Sequence, residues 1–404
     1  MGHRVRPGTV GILPAGALGM GFFFHLTRGL DAMDERVCFI KRAASTSGQV
    51  LREKGTLSIA TEAGVRRVSA SRVCRPTLLA CADSGWLPEV LLVCTQSDQI
   101  LPVVTNFVEL LERLYASEGL DAAVDGLPVL VLCSNGIYHL RVRRFLVEAL
   151  EESTLYGRLP DLWSEAMGRI VGKLLRGVTI QTGQRDGHGG DAIYRPGPRG
   201  RPRLAGGGPA HRRRCGEVLQ NLGGWFEVAE DETPTRVEFD KALVNFFGNL
   251  LGQLKAIGET GVFHLLTVRD ILPEPESAET RELAHHVIAV GRAVQAYRPE
   301  ETFETLYRSA MCAARAHLEH VPSSIKWLEA QLHAGTLEAR VAPTEKWLLD
   351  PLIRYASTAG LDESTRYFTE LIRLIEDRLT RAIAAQSKAR GQGFLRAIAR
   401  RIVR

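Results

Sequence analysis

The sequence predicts an α/β domain over residues 1–236 and an all-α domain over residues 237–404. Short apolar, strand-like segments alternate with helical segments in the first part, and strand patterns nearly vanish after Val237. A chain of 404 residues is also too long for one typical hydrophobic core. We therefore expect a parallel, doubly wound sheet followed by a helical domain.

The beginning of the chain has the order strand, glycine turn, helix, strand. An apolar strand at residues 9–13 precedes the turn PAGALG at residues 14–19, an apolar helix at 20–30 and a second strand at 36–40. Glycines in such a turn let the backbone approach a pyrophosphate at the helix N-terminus. Pro14 replaces the first glycine of the usual G-x-G-x-x-G pattern. The alternative is an ordinary tight turn, but the context favours a Rossmann-type dinucleotide site with contacts at Gly16, Ala17, Leu18 and Gly19.

The second strand ends in two cations, Lys41 and Arg42. An acidic residue at this place would bind the ribose hydroxyls of NAD, whereas cations suit the 2′-phosphate of NADP. The sequence therefore favours NADP(H) as the cofactor.

Two more buried strands end in polar residues. EVLLVCT at residues 89–95 is followed by Gln96, and LPVLVLC at 127–133 is followed by Ser134, Asn135 and Gly136. Ligands of parallel sheets bind beyond the carboxyl ends of the strands. We expect Gln96 and Asn135 to join the glycine turn there, although Asn-Gly is also ordinary turn chemistry.

Residues 183–215 are rich in Gly, Pro and Arg, and the C-terminal residues 388–404 are basic. The first segment is interpreted as a solvated, mobile insertion with one strand-like stretch, AIYR, rather than as an RNA-binding segment. The second is interpreted as a frayed, solvated tail broken by Gly391 and Gly393, rather than as a membrane-surface or partner-binding helix.

Composition excludes several classes of protein. The net charge of +5 is modest for a nucleic-acid binder, and no apolar run is long enough to cross a membrane. Seven cysteines without a C-x-x-C motif predict a reducing, cytoplasmic setting. His317 and His320 have no clear third ligand, so no metal site is expected. The oligomeric state is left open, with a homodimer as one option.

The segment 237–252, VEFDKALVNFFGNLLG, predicts a mostly buried helix with Lys241, Asn245 and Asn249 on one face. Buried lysine and amide groups need partners. The stripe is therefore either a structural network or a site, and the rest of the chain favours a site. Ser324 is either a helix cap or a site residue, and Glu345 at a predicted helix start has the same two interpretations.

Together these features resemble the ketopantoate reductase (2-dehydropantoate 2-reductase) family. The resemblance rests on five places in order: PAGALG at 14–19, Lys41-Arg42, Ser134-Asn135-Gly136, KALVNFFGN at 241–249, and Ser323-Ser324 followed by PTE at 343–345. The K-x-x-x-N-x-x-x-N spacing is the most specific of them. The sequence departs from the family at Pro14, at Gln96, where members often have lysine, and in its greater length.

The resemblance implies an NADPH-binding domain, an all-α domain of the 6-phosphogluconate dehydrogenase C-terminal type, and a site between them. It implies that Lys241 is the catalytic acid and that Glu345 binds the substrate hydroxyl or tunes Lys241, so that the two titrate together. The residues implied to position nicotinamide and substrate are Asn135, Asn245, Asn249 and Ser324. Two alternatives stay open: a related NADP-dependent oxidoreductase with a larger keto substrate, and a non-catalytic dinucleotide-binding protein.

Overall fold

The computed structural model describes residues 4–31, 35–42, 55–158, 165–178, 183–187, 192–223, 225–273 and 275–402, with side chains as far as residue 388. The chain divides into two compact units, Met1–Val237 and Glu238–Arg404.

The first unit is built on an eight-stranded sheet. Its strands are β1 (Arg4–Leu13), β2 (Val37–Ile40), β5 (Cys74–Arg75), β6 (Trp86–Val93), β7 (Val129–Leu132), β8 (Leu174–Val178), β11 (Arg203–Gly206) and β12 (Glu227–Val228). Their order across the sheet is β12-β11-β8-β7-β6-β1-β2-β5. All neighbours are parallel except β8 and β11. The predicted strands at 9–13, 36–40, 89–95 and 127–133 are confirmed with small shifts of their ends, and with them the mainly parallel sheet.

Burial explains why these strands are central. Every residue of β2, β7 and β8 is buried, as expected for strands covered on both faces. The helices of this unit are α1 (Ala17–Leu26), Ala70–Val73, Leu78–Asp83, Ile100–Glu118, Leu120–Asp125, His139–Glu152, Ala166–Val171 and Pro209–Gly223. One core cluster joins strand β1 to α1 and to the helix Pro209–Gly223.

The interpretation of residues 183–215 as a mobile insertion is wrong for the residues that the structure describes, although its strand-like stretch AIYR is confirmed as β10 (Ile193–Pro196). These residues form β9 (Gly183–Asp186), β10, β11 and the start of the helix Pro209–Gly223. β9 and β10 join β3 (Thr56–Thr61) and β4 (Gly64–Ser69) in a second sheet, ordered β4-β3-β10-β9. The physical reason is a small set of apolar residues that the Gly/Arg composition conceals: Tyr194, Leu204, Ala205 and Cys215 are all buried.

The second unit is helical, as predicted, and its described residues include one isolated bridge between Ile257 and Phe263. The division from the first unit falls within the helix Pro234–Asn245. The elements that follow are a π-helical turn at Phe246–Leu250 and the helices Leu251–Ala256, Val268–Ile271, Ala278–Ala293, Phe303–Arg315, Ser323–Ala334, Pro343–Thr358 and Asp362–Ile402.

Two expectations for the second unit need correction. The basic tail was expected to be broken at Gly391 and Gly393, but the helix Asp362–Ile402 continues through both residues. Glycine in a helix costs about 1 kcal/mol relative to alanine, which weakens a helix without ending it. The predicted continuous helix at 237–252 is instead interrupted by the π turn, for which the sequence offers no signal beyond Gly248. Among the described residues, no helix is long and apolar enough to be a membrane span.

Candidate active site

The glycine turn of the first unit connects β1 to α1. Gly16 is the residue before the first turn of α1, and the Met20 amide donates to its carbonyl at 2.8 Å. A Cβ on Gly16 would meet no atom within 4 Å, so the backbone is open to a ligand there. A Cβ on Gly19 would overlap the Pro14 carbonyl oxygen. Gly19 therefore allows the close approach of helix to turn, as the glycine pattern predicts, with Pro14 in a cis peptide bond.

Basic residues lie at the end of the neighbouring strand β2. Lys41 and Arg42 follow Ile40 directly and are both partly buried. The Lys41 amide donates to the Arg75 carbonyl at 3.2 Å, because β5 pairs with β2. The Arg75 guanidinium lies 5.3 Å from the centre of the Trp86 ring. Sequence reasoning missed Arg75, a third cation next to this strand end, because its neighbourhood follows from strand pairing alone.

Hydrogen bonds join the loops after β6 and β7. The Ser97 hydroxyl donates to the Asn135 carbonyl at 2.5 Å, and the Ser134 hydroxyl donates to the Thr95 carbonyl. Gln96, which lies between Thr95 and Ser97, is exposed, and Asn135 is partly exposed. The structure therefore brings these two predicted residues to adjacent loops at the carboxyl edge of the sheet, where strand order places the glycine turn as well.

Arg176 of β8 holds the second of these loops, and sequence reasoning missed it. Its side chain is 1% exposed and donates to the carbonyls of Ser134 at 2.6 Å and Gly136 at 3.1 Å, and also to that of Leu132. The guanidinium stacks 4.4 Å from the centre of the Tyr138 ring. Burial, with the Arg176 charge as the next cause, lowers the pKa of His139 to about 4. The available signal was one arginine inside the apolar strand LLRGV.

In the second unit, Lys241 and Asn245 lie one turn apart on the helix Pro234–Asn245. Lys241 is partly buried, and Asn245 and Asn249 are 6% and 9% exposed. The Asn245 side-chain nitrogen has no hydrogen-bond partner among the described residues. Asn249 lies in the π turn, a local widening of the helix that is frequent at functional sites.

Ser324 meets this segment from far along the chain. Its hydroxyl donates to the Asn249 carbonyl at 3.2 Å, and its side chain is buried. The residue before the helix Ser323–Ala334 is Pro322, so Ser324 does not cap that helix. The structure thus brings Asn249 and Ser324 together, which the sequence left open.

Glu345 is fully buried in the first turn of the helix Pro343–Thr358. Burial raises the pKa of its carboxyl to about 7, while its own backbone amide and the Thr344 hydroxyl act in the opposite direction. Neither of these two groups forms a hydrogen bond of acceptable geometry with the carboxyl, because both carboxyl oxygens lack a partner among the described residues. The proposed coupling of Glu345 with Lys241 stays a prediction.

His317 and His320 lie near Lys241 in the second unit. Burial is the main cause that lowers the pKa of each imidazole, to about 4 for His320, and the Lys241 charge contributes to both. Lys326 acts on His320 as well. These imidazoles are therefore neutral neighbours of the lysine, and among the described residues no group of three metal-binding side chains occurs.

The fold and these strand-end and helix residues define a Rossmann-like domain joined to a helical domain, the architecture of several known reductases. The chain is similar to a PanE/ApbA-family ketopantoate reductase from Ralstonia eutropha, with 18% identity, a TM-score of 0.56, and coverage of 92% of this chain and 99% of that one. It is similar to D-mandelate dehydrogenase in complex with NADH, with 16% identity, a TM-score of 0.60 and coverage of 92% and 99%. It is also similar to a dimeric ketopantoate reductase from Staphylococcus aureus, with 16% identity, a TM-score of 0.53, and coverage of 93% of this chain and 99% of that one. Neither the protein-family models nor the curated protein sequences contain a match to this chain. At these identities the likeness establishes the fold.

Proposed function

We propose that this protein is an NADPH-dependent reductase of a 2-oxo acid of the ketopantoate type, which converts 2-dehydropantoate to pantoate. The observation that carries the proposal is the hydrogen bond from Ser324 to the Asn249 carbonyl. It joins two segments, 75 residues apart, that the family resemblance assigns to one substrate site. The fold shared with ketopantoate reductases and with an NADH-bound dehydrogenase supports the reaction class.

The residues of the first unit fit a nicotinamide dinucleotide. The open backbone at Gly16 and the N-terminus of α1 suit its pyrophosphate, and Lys41, Arg42 and Arg75 suit a 2′-phosphate. When bound, NADPH supplies a hydride to the carbonyl carbon of the substrate. Gln96 and Asn135, on the loops after β6 and β7, are proposed to contact the cofactor, and Asn135 also the substrate.

Lys241 is proposed to donate the proton that the substrate oxygen needs when it becomes an alkoxide. Its charge also stabilises that oxygen before the proton moves. The Asn245 side-chain nitrogen is buried and lacks a partner among the described residues, so it can donate to the substrate without cost to another hydrogen bond. Asn249 and Ser324 complete the substrate side. Glu345, with its pKa raised to about 7, is proposed to be partly protonated near neutral pH and to form a hydrogen bond with the substrate hydroxyl, with no transfer of its proton.

The test is the oxidation of NADPH at 340 nm with ketopantoate, with NADH as the comparison cofactor and Lys241→Ala as the decisive variant. We expect turnover with a preference for NADPH, and a kcat at least ~100-fold lower in Lys241→Ala with little change in NADPH affinity. Lys346→Ala is the control, because Lys346 is exposed and lies outside the proposed site. Activity of Lys241→Ala within threefold of wild type would remove Lys241 from the mechanism.

A second candidate is a related reductase with a larger 2-oxo acid substrate. The similarity to D-mandelate dehydrogenase, whose ternary structure with NADH contains anilino(oxo)acetate, supports this second candidate. NADPH binding without turnover of ketopantoate would favour this candidate, and a panel of 2-oxo acids would then identify the substrate. Binding without turnover of any 2-oxo acid would indicate a non-catalytic dinucleotide-binding protein, and absence of NADPH binding would exclude the enzyme.

A further inference from the structure

Helix α1 crosses the second sheet, and its N-terminus lies against the edge strand β9. A Cβ on Gly183 would overlap the carbonyl oxygen of Ala17, the first residue of α1. Towards the other end of the helix, His25 Nε2 lies 2.9 Å from the Gly197 carbonyl oxygen, directly after β10. Beyond the helix, Arg66 of β4 reaches the Gly29 carbonyl at 3.4 Å. Of the four strands, β9 is therefore the one beside the N-terminus of α1.

Strand register shows which residues of β9 face the helix. Arg185 pairs directly with Tyr194, and directly opposed residues lie on the same face of a sheet. Tyr194 is 2% exposed and belongs to the core cluster that contains Phe22 and Phe23 of α1. Arg185 is thus on the face that covers α1, and so is Gly183, two residues earlier on the strand.

The outer face of the same hairpin is satisfied internally. Arg195 pairs with Asp186, and the Gln184 amide donates to the same carboxylate at 2.9 Å. On the inner face, Arg185 Nε is buried and has no hydrogen-bond partner among the described residues. A buried guanidinium N–H without an acceptor is unfavourable, and an anionic ligand beside it would supply one.

We propose that Arg185 is a binding residue for the pyrophosphate of the dinucleotide at the N-terminus of α1. This rests on the proposed function, in which the open backbone at Gly16 receives that pyrophosphate. A guanidinium contacts phosphate oxygens through paired N–H groups, and it adds a full positive charge to the partial charge of the helix end. The segment that looked like a mobile insertion therefore contributes to the cofactor site.

The hairpin itself offers the matched control for a binding experiment. Dissociation constants for NADPH and NADH are measured by calorimetry for Arg185→Gln and for Arg195→Gln, a neighbouring arginine of the outer face. We expect Arg185→Gln to weaken both cofactors about tenfold and to leave their ratio unchanged, because both contain the pyrophosphate. Arg195→Gln should bind both within twofold of wild type.

A second measurement uses the unaltered protein. Phenylglyoxal modifies accessible arginines, and mass spectrometry locates the modified residues with and without saturating NADPH. We expect NADPH to protect Arg185 and not Arg195. Equal affinities of the two variants, or unprotected Arg185 in the saturated protein, would overturn this inference and leave the proposed function standing. Failure of the wild-type protein to bind either dinucleotide would overturn both.

Discussion

The two units hold their candidate site residues in opposite ways. In the first unit, the loops after β6 and β7 are fixed by hydrogen bonds to backbone carbonyls from Ser97, Ser134 and Arg176. In the second unit, Asn245 and Glu345 are buried with polar atoms that have no hydrogen-bond partner among the described residues. The first arrangement is typical of a scaffold that satisfies most of its own polar groups, with Thr95 Oγ1 and Arg185 Nε among the exceptions in this unit. The second leaves donors and acceptors for a ligand, at a cost to stability.

The largest effect is expected where the scaffold loses Arg176. Arg176→Met leaves the carbonyls of Leu132, Ser134 and Gly136 without this donor, and we expect the free energy of unfolding to fall by about 3 kcal/mol. Urea denaturation, followed by tryptophan fluorescence, measures it. Arg169→Gln is the matched control, since Arg169 pairs on the surface with Asp121 and Asp125 and should contribute less than ~1 kcal/mol.

Equal free energies of unfolding for Arg176→Met and Arg169→Gln would contradict the role of Arg176 in holding the loops of the first unit. An NMR titration of His139 gives a second test of this role, because the Arg176 charge helps to lower the pKa of His139. Its pKa should rise in Arg176→Met and stay low in Arg169→Gln.

The second effect concerns Glu345 and depends on pH. Its pKa rises from 4.5 to about 7 on folding, so the folded state keeps a proton that the unfolded state has lost between these values. The contribution of Glu345 to the free energy of unfolding is therefore most favourable below pH 4.5. It becomes less favourable by about 3 kcal/mol as the pH rises towards 7. Glu345→Gln lacks this dependence, so we expect its stability relative to wild type to increase from pH 5 to pH 8.

Denaturation of both proteins at each pH gives this difference, in which the other titrating groups, such as His320, cancel. Glu338→Gln, at an exposed glutamate, is the control and should show no trend. A stability difference that does not change with pH would mean that Glu345 is satisfied in the folded protein, and the contrast between the units would weaken.

Much of the fold was predictable because it depends on local patterns. Apolar strand segments, the glycine turn and helical periodicity predicted β1, α1, β6, β7 and the helical second unit. The strand-like stretch AIYR was recognised, but its ordering in a hairpin with β9 was not, because Tyr194 packs on α1, a contact between distant parts of the chain. Arg75 and Arg176 were missed for the same reason, since strand pairing alone gives them their neighbours.

In the candidate site, too, local features were predictable from the sequence and contacts between distant residues were not. Lys241 and Asn245 share a helix face, which the sequence shows directly, whereas the π turn that carries Asn249 has no sequence signal beyond Gly248. The family resemblance placed Ser324 and Asn249 in one site, but their hydrogen bond was not predictable, because no local pattern relates residue 324 to residue 249. The roles of Lys241, Glu345 and the asparagines came from the family resemblance and remain predictions.

The smallest effect is expected from Ser324→Ala, which removes a hydrogen bond between the two substrate segments. A single neutral hydrogen bond contributes about 1 kcal/mol, so stability should fall by that amount. If the bond also positions Asn249 for the substrate, KM for the 2-oxo acid should rise about tenfold while KM for NADPH stays constant. Ser323→Ala is the natural control, because Ser323 is the exposed neighbour. A loss of stability without any change in KM would assign the bond to the scaffold, and the second unit would then resemble the first more closely than we propose.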